Sequence, residues 1–220
     1  MLDYIIIPFL CHIIPYWSLC YIFYLLDLKH LDISHVNWTK YNKAAIGSLM
    51  NQVTIYLPTL YFTQSYYIDA VNSSTNDTIL VSVIKIFCII NFANLLFYIV
   101  HRLLHTTVLF KRIHYIHHEF IEPIAVASLY AHPIEHLFAN TLAFFIPFFL
   151  IGSTYICSLI FIIIGTTITI LSHTNYNTIF SYNDHWIHHR LFKYNFGFGG
   201  YIDKIFSTFI GRADQRTYKE

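Results

Sequence analysis

Long apolar stretches separated by short polar loops dominate the hydrophobic pattern of this 220-residue chain. The stretches are residues 4–26, 46–62, 78–100, 137–151 and 154–171. The first and third are long enough to cross a hydrocarbon core of about 30 Å as helices. Only Gly152 and Ser153 separate the last two, which predicts a tight helical hairpin that returns the chain to the side it entered. The pattern therefore predicts an all-α integral membrane bundle of about four or five membrane helices.

Composition supports a single membrane domain over residues 1–220. Hydrophobic residues make up 56% of the chain and charged residues only 11%, too few to cover the surface of a soluble domain. The net charge of +1 and the lack of a basic run give no reason to expect a nucleic-acid partner. The four cysteines lie inside apolar runs without metal-type spacing, so we interpret them as small core residues.

The distribution of lysine and arginine predicts the orientation in the membrane. Basic residues occur in the 27–45 loop, in the 101–136 segment and in the tail from residue 172, whereas the 63–77 loop has none. Because basic loops stay on the cytosolic side, the first three segments are expected in the cytosol and the 63–77 loop on the opposite side.

The histidines carry the chemical signal. Eleven of the 14 histidines lie between positions 101 and 189. Nine of these eleven form a His-x3-His pair, two His-x2-His-His runs and one isolated histidine. The candidate ligands are His101, His105, His114, His117, His118, His173, His185, His188 and His189. Offsets of three and four residues place imidazoles on one helical face, and all of these segments fall on the predicted cytosolic side.

This set predicts a histidine-rich dimetal site in a cytosolic helical cap. One four-coordinate zinc ion needs only three or four histidines, so two neighbouring metal ions explain the number best. Ordinary polar caps at helix ends are the alternative, which usually holds for a lone histidine but not for three clusters. His132, just before Pro133 at a helix start, could be a ligand or could orient one, and His136 is a weaker candidate. His12, His30 and His35 have no partner at ligand spacing and are interpreted as non-ligands.

Neutral imidazoles bring no negative charge, so carboxylates are expected close to the metals. Glu119 follows His118 and Asp184 precedes His185, and both are candidates for orienting a ligand through its far ring nitrogen. The alternative for each is a solvated charge beside a helix.

The order of the histidine boxes resembles the fatty acid hydroxylase and sterol desaturase superfamily, over about residues 80–210. The runs His118-Glu-Phe-Ile-Glu-Pro and Leu129-Tyr-Ala-His-Pro-Ile-Glu look like sterol C4-methyl oxidases. The closing runs His188-His-Arg-Leu-Phe-Lys-Tyr-Asn-Phe-Gly and Asp203-Lys-Ile-Phe are similar to the tail shared by C4-methyl oxidases and C5 sterol desaturases. Two positions depart from the patterns. Asn177 stands where fatty acid 2-hydroxylases have a second histidine, and Ser207-Thr208 replaces the usual Gly-Thr.

The resemblance implies a membrane-bound non-haem di-iron oxygenase that uses O2 and two electrons to oxidise a lipid C–H bond. A sterol is the first candidate substrate, as for a C4-methyl oxidase or sterol desaturase. A hydroxylase of a fatty acyl or sphingoid lipid is the alternative. Zinc could replace iron on overexpression. The family analogy also implies the endoplasmic reticulum, with the active site facing the cytosol. A metal transporter is a remote alternative, because transport sites lie near the bilayer midplane and these histidines lie outside the apolar runs.

An external electron donor is also expected. The sequence contains neither Gly-x-Gly-x-x-Gly nor Cys-x-x-Cys-His, the motifs of bound dinucleotide and attached haem. By analogy with the family, the donor would be cytochrome b5 reduced from NADH, and the lipid substrate would enter from the bilayer.

Overall fold

The computed structural model describes residues 2–30, 37–174, 176 and 184–211, and every regular element in this part of the chain is helical. The first five α-helices are α1 (Asp3–His30), α2 (Trp38–Asn51), α3 (Leu57–Phe62), α4 (Gln64–Asn72) and α5 (Ile79–Leu104). They are followed by α6 (Thr107–Arg112), α7 (Pro133–Glu135), α8 (Ala143–Ile151), α9 (Tyr155–Ser172), α10 (Asp184–Leu191) and α11 (Tyr201–Ile205). Wider π turns cover Gln52–Tyr56 and His136–Leu142, and tighter 3-10 turns cover His114–Glu119 and Ala125–Ala127. The predicted all-α class is confirmed.

Four helical runs are long and apolar enough to cross a membrane. They are Asp3–Leu28, Ile79–Leu104, Pro133–Ile151 and Tyr155–Ser172. The 46–62 stretch is helical but is not among these four, because it continues a run that begins with the polar residues of α2. The estimate of four or five membrane helices therefore resolves to four candidates among the described helices.

The predicted hairpin turns sharply, but its two arms diverge. Gly152 ends α8 with φ +73° and ψ 158°, and the Thr154 hydroxyl accepts a hydrogen bond from Cys157 N at 3.4 Å to begin α9. Beyond this turn α8 packs on α5 and α4, whereas α9 packs on α1. The expectation of a tight hairpin is therefore wrong for the arms, because each finds a better apolar partner elsewhere in the bundle.

Side chains of α1 and α2 fix the loop that follows the second histidine cluster, residues 120–131. The Tyr16 and Ser48 hydroxyls both donate to Val126 O at 2.9 Å. The Asn51 amide donates to Leu129 O and Ala131 O, also at 2.9 Å. Because backbone groups in an apolar bundle need internal partners, these bonds hold this irregular segment in one conformation.

Replacing Gly152 with alanine is expected to destabilise the fold by about 1–3 kcal/mol, because its dihedral angles lie in a region that is almost restricted to glycine. A Cβ at residue 152 would also lie 2.8 Å from Ala70 O and 2.7 Å from the Ser73 hydroxyl. Thermal unfolding in detergent checks the loss. Gly165→Ala is the matched control, because no atom lies within 4 Å of its added Cβ. Alanine in this helix is expected to leave stability unchanged or raise it by about 0.5–1 kcal/mol. Equal melting temperatures for the two variants would contradict the prediction.

Candidate metal centre

The structure brings the nine predicted histidines together in two groups. The first imidazole group is His101, His105, His114, His118 and His188. The second imidazole group is His117, His173, His185 and His189. Within each group one nitrogen from every ring lies within 4.8 Å of the others, which is the spacing of atoms that could share a metal ion. All nine side chains are buried except that of His105, which is partly exposed.

The converging atoms of the first group are Nε2 nitrogens. His114 Nε2 lies 3.2 Å from His101 Nε2, 2.9 Å from His105 Nε2 and 3.0 Å from His118 Nε2. His188 Nε2 lies 2.9 Å from His105 Nε2 and 3.2 Å from His118 Nε2. These rings come from α5, the 3-10 turn and α10, so segments distant in sequence meet at one point.

The second group converges in the same way around His117. Its Nε2 lies 3.2 Å from His173 Nε2, 3.1 Å from His189 Nε2 and 3.5 Å from His185 Nε2. His117 and His118 are consecutive residues, and they point into different groups. The 3-10 turn therefore joins the two groups directly.

In five of the nine histidines the opposite ring nitrogen bonds to a backbone carbonyl. His101 Nδ1 lies 2.6 Å from Phe196 O, and His188 Nδ1 lies 2.6 Å from Tyr194 O. In the second group, the corresponding contacts are His117 Nδ1 to Tyr130 O at 3.0 Å, His173 Nδ1 to Thr169 O at 2.8 Å and His189 Nδ1 to Phe120 O at 2.9 Å. A carbonyl oxygen only accepts, so each of these Nδ1 atoms must carry the proton.

This tautomer leaves only lone pairs on the converging Nε2 atoms. The unprotonated Nε2 atoms of His173 and His189 thus each lie about 3 Å from that of His117, an arrangement that is repulsive without a cation. A bound metal ion would turn the same geometry into coordination, with each ligand oriented through its far nitrogen. The residues of both groups therefore fit metal ions.

Burial keeps these imidazoles neutral. It lowers the pKa of His105 and His117 to about 4 and that of His173 to about 3. Burial first, with neighbouring imidazoles second, also lowers the pKa of His114, His118, His185, His188 and His189. At pH 7 the rings are therefore free of the proton that would compete with a metal.

Glu135 is the carboxylate that contacts the described histidine groups. Its Oε1 lies 2.8 Å from His114 Nδ1, and its side chain is almost fully buried. Glu119, which was expected to fill this role, instead accepts from Lys43 Nζ at 2.8 Å and from the Tyr130 hydroxyl at 3.1 Å. The prediction failed because consecutive residues of a 3-10 turn point in different directions. The Asp184 side chain lies outside the described residues.

The remaining histidines lie outside both groups. His132 caps α7, where its Nδ1 accepts from Ile134 N at 3.2 Å, so it sits at the predicted helix start. His136 is buried, and neither ring nitrogen has a hydrogen-bond partner among the described residues. His12 Nδ1 lies 2.8 Å from the Thr166 hydroxyl, within the helical bundle. His35 and the His30 side chain lie outside the described residues.

The His114–His118 cluster forms a 3-10 turn rather than the α-helix implied by its spacing. The turn covers His114–Glu119, whereas the last cluster lies on the α-helix α10 as expected. Residues three apart lie on the same side of a 3-10 turn, yet His117 enters the second group whereas His114 and His118 enter the first.

A cavity of about 870 Å³ reaches both groups from the membrane region. Its inner end is lined by His101, His114, His117, His173 and His185. Its walls are mostly apolar side chains of α5, α8 and α9, the space left by the divergent arms of the hairpin. At the inner end the rings of Phe97, Phe144 and Phe198 narrow the cavity, with Phe144 and Phe198 stacked at 5.9 Å.

Sequence reasoning missed Glu135 and the backbone carbonyls. Glu135 had a signal, because it is the one charged residue between positions 133 and 172. A lone carboxylate at the start of an apolar span is a candidate for function. The four loop carbonyls at residues 120, 130, 194 and 196 had none, since every residue carries a carbonyl and only the folded chain selects which ones face an imidazole.

Comparison with known proteins places these observations in one family. Fatty acid hydroxylase domain-containing protein 2 of Homo sapiens is 39% identical over 115 residues, covering 51% of this chain and 34% of that protein. Sphinganine C4-monooxygenase 1 of Arabidopsis thaliana is 32% identical over 127 residues, 51% of this chain and 49% of that protein. Methylsterol monooxygenase 2-2 of Arabidopsis thaliana is 32% identical over 139 residues, 56% of this chain and 52% of that protein.

The chain therefore matches only a third to a half of the length of these relatives. No solved structure matches it. The fatty acid hydroxylase family profile matches residues 86–208, more than half of the chain, and this range contains all nine histidines of the two groups. The match confirms the resemblance seen in the histidine boxes, and the chain belongs to the fatty acid hydroxylase family.

Proposed function

We propose that the protein oxidises a C–H bond of a membrane lipid with O2, at two iron ions held by the two imidazole groups. The observation that carries this proposal is that both groups lie at the inner end of an apolar cavity between membrane helices. An unactivated C–H bond is too strong for side-chain acids and bases, and bound iron would supply the redox chemistry with O2. Zinc is the expected substitute on overexpression, because imidazole binds both metals.

In this scheme the protein's own residues bind the metal ions, orient the ligands and shield the site from water. The first imidazole group offers five nitrogens and the second offers four, so the first has the fuller coordination. Glu135 contacts His114 and, when ionised beside a bound metal ion, would offset part of the positive charge. Phe97, Phe144 and Phe198 exclude water at the inner end and position the part of the lipid that faces the metals.

A sterol is the first candidate substrate. The runs that begin at His118 and Leu129 look like those of sterol C4-methyl oxidases, and those at His188 and Asp203 resemble the tail shared with C5 sterol desaturases. One relative is a methylsterol monooxygenase. Asn177 in place of a second histidine is a departure from fatty acid 2-hydroxylases.

A long-chain acyl or sphingoid lipid is the second candidate, favoured by the length of the cavity. Ile79 and His101 both line it, at opposite ends of α5, and they are separated by about 33 Å at 1.5 Å per residue. This distance exceeds the length of a sterol's rings and side chain, whereas an extended alkyl chain would occupy more of it.

The lipid would enter sideways from the bilayer. Cavity-lining side chains on α5 and α9 are accessible to solvent, for example Val83 (61%) and Ile160 (49%), so the cavity is open along these helices. The two electrons would come from a separate protein of the cytochrome b5 type reduced from NADH, docking beside the histidine groups. The distribution of lysine and arginine supports a cytosolic location for this side, and the family resemblance supports the endoplasmic reticulum.

Detergent-purified protein is expected to contain about two metal ions per chain by inductively coupled plasma mass spectrometry. His188→Ala should lower the metal content of the first group and His117→Ala that of the second, because each removes a central nitrogen. His132→Ala is the matched control. It removes a helix cap worth about 1 kcal/mol and should leave both metals bound. Equal metal loss from all three variants would show that the ligand assignment is wrong.

Glu135→Gln is expected to weaken metal binding by about tenfold or more, because it removes the buried charge behind His114 while keeping the side-chain shape. Glu119→Gln should have no effect on metal binding, since Glu119 contacts Lys43 and Tyr130 instead. Competition with a chelator of known affinity measures both. A larger effect at Glu119 than at Glu135 would reverse our correction.

Expression in a host strain that lacks sterol C4 demethylation tests the substrate. Clearance of 4,4-dimethyl sterols, seen by mass spectrometry of extracted lipids, would support the sterol candidate. New hydroxylated acyl or sphingoid lipids without sterol clearance would support the second candidate. Either product should require O2 and disappear in His188→Ala, because that variant breaks the first imidazole group. A lipid profile identical to that of the empty strain would count against both.

A further inference from the structure

Asp203 lies outside both imidazole groups, yet it is fully buried and its carboxylate receives hydrogen bonds from three donors. Phe196 N donates to Oδ1 at 2.7 Å, Gly197 N to Oδ2 at 2.8 Å and the Thr208 hydroxyl to Oδ1 at 2.8 Å. All three partners can fill lone pairs of an ionised carboxylate. This pattern is that of a buried carboxylate held by the 194–198 loop and by Thr208.

One of these bonds leads directly to a candidate ligand. The N–H of Gly197 and the carbonyl of Phe196 belong to the same peptide unit. That carbonyl lies 2.6 Å from His101 Nδ1, and the N–H of the unit lies 2.8 Å from Asp203 Oδ2. The peptide therefore connects a carboxylate on one side with an imidazole of the first group on the other.

We propose that Asp203 is a positioning residue that strengthens His101 as a metal ligand through the Phe196–Gly197 peptide. The inference rests on the proposed function, in which His101 holds a metal ion. A carboxylate that accepts from a peptide N–H polarises the peptide and makes its carbonyl a stronger acceptor, because hydrogen bonds in series reinforce one another. The stronger acceptor draws the Nδ1 proton of His101 and makes Nε2 a better donor to a cation.

The other described hydrogen bond from a candidate ligand to this loop has no carboxylate behind it. His188 Nδ1 faces Tyr194 O, and the N–H of that peptide, on Asn195, donates to the neutral carbonyl of Thr208 at 2.8 Å. Among the described side chains, two carboxylates therefore act on the first group. Glu135 contacts His114 directly, and Asp203 acts on His101 through the peptide. The metal ion of the first group is the one that Asp203 stabilises.

Gly197 makes the close approach of this peptide possible. A Cβ at residue 197 would lie 3.1 Å from Asp203 Oδ2 and 2.9 Å from Asn94 Oδ1. Asn94 clamps the next residue of the loop, donating from Nδ2 to Phe198 O at 2.8 Å and accepting from Phe198 N at 2.9 Å. Asn94 therefore fixes the same loop without any charge, which makes it a matched comparison for Asp203.

The experiment titrates the metal-free full-length protein with Co²⁺ in detergent, following the absorption of the bound ion and its stoichiometry. Asp203→Asn should weaken one of two binding steps by about tenfold or more and shift the absorption of that step. The other step should keep its affinity. Asn94→Ala loosens the loop but keeps the carboxylate, so it should shift neither spectrum, and Asp203→Glu should recover part of the lost affinity.

Equal weakening of both binding steps, or an equal spectral change in Asn94→Ala, would contradict the proposed effect of Asp203 on His101. Asp203 would then have a purely structural role. Unchanged affinity in Asp203→Asn would contradict the proposed effect as well. A wild-type protein that binds no Co²⁺ would instead contradict the proposed function. If Asp203→Asn does not fold, Thr208→Val takes its place. This variant removes a competing donor from Asp203 Oδ1, so our proposal predicts equal or tighter Co²⁺ binding. Weaker Co²⁺ binding would contradict the proposal.

Discussion

The candidate centre depends on one interaction, the hydrogen bond from an imidazole Nδ1 to a backbone carbonyl. It fixes the tautomer of His101, His117 and His188 and leaves each Nε2 unprotonated at the point where the rings meet. An imidazole without this bond could rotate or exchange its tautomer, and its lone pair would no longer be directed at a metal. The two imidazole groups are therefore products of the backbone that surrounds them as much as of the histidines.

The carbonyls that accept these bonds lie in two irregular loops, and each loop is clamped by buried side chains. The 120–131 loop serves the second group through Phe120 O and Tyr130 O, and side chains of α1 and α2 hold it. The 194–198 loop serves the first group through Tyr194 O and Phe196 O, and Asn195 and Asp203 hold this part of the loop. Irregular backbone beside a membrane is tolerated only when its polar groups are satisfied, so the same bonds stabilise the loops and aim the ligands.

The sequence was sufficient for the features that depend on composition and spacing. Apolar length predicted the spans that became α1, α5 and α9, and histidine spacing selected the nine rings that converge. The sequence was not sufficient where a feature depends on the direction in which a side chain or a helix points. Adjacency suggested Glu119 because it follows His118, but a 3-10 turn points neighbouring side chains apart, and Glu135 reached His114 from another element. Similarly, a two-residue connection predicted a tight hairpin, although packing against α5 and α1 separates its arms.

That separation links the membrane part of the protein to its chemistry. α5 and α9 both line the cavity, and both end at candidate ligands, with His105 and His173 as their C-terminal caps. Unsatisfied carbonyls give the last turn of a helix partial negative charge, which favours a cation nearby, so the helix ends add to the electrostatic support that neutral imidazoles lack. The same two helices present apolar side chains to the cavity along their length. A lipid lying between them would be guided along the helices toward the point where both helix dipoles favour a metal. A polar substrate from water would gain nothing from such walls, so the apolar cavity supports the proposal that a lipid substrate enters from the bilayer.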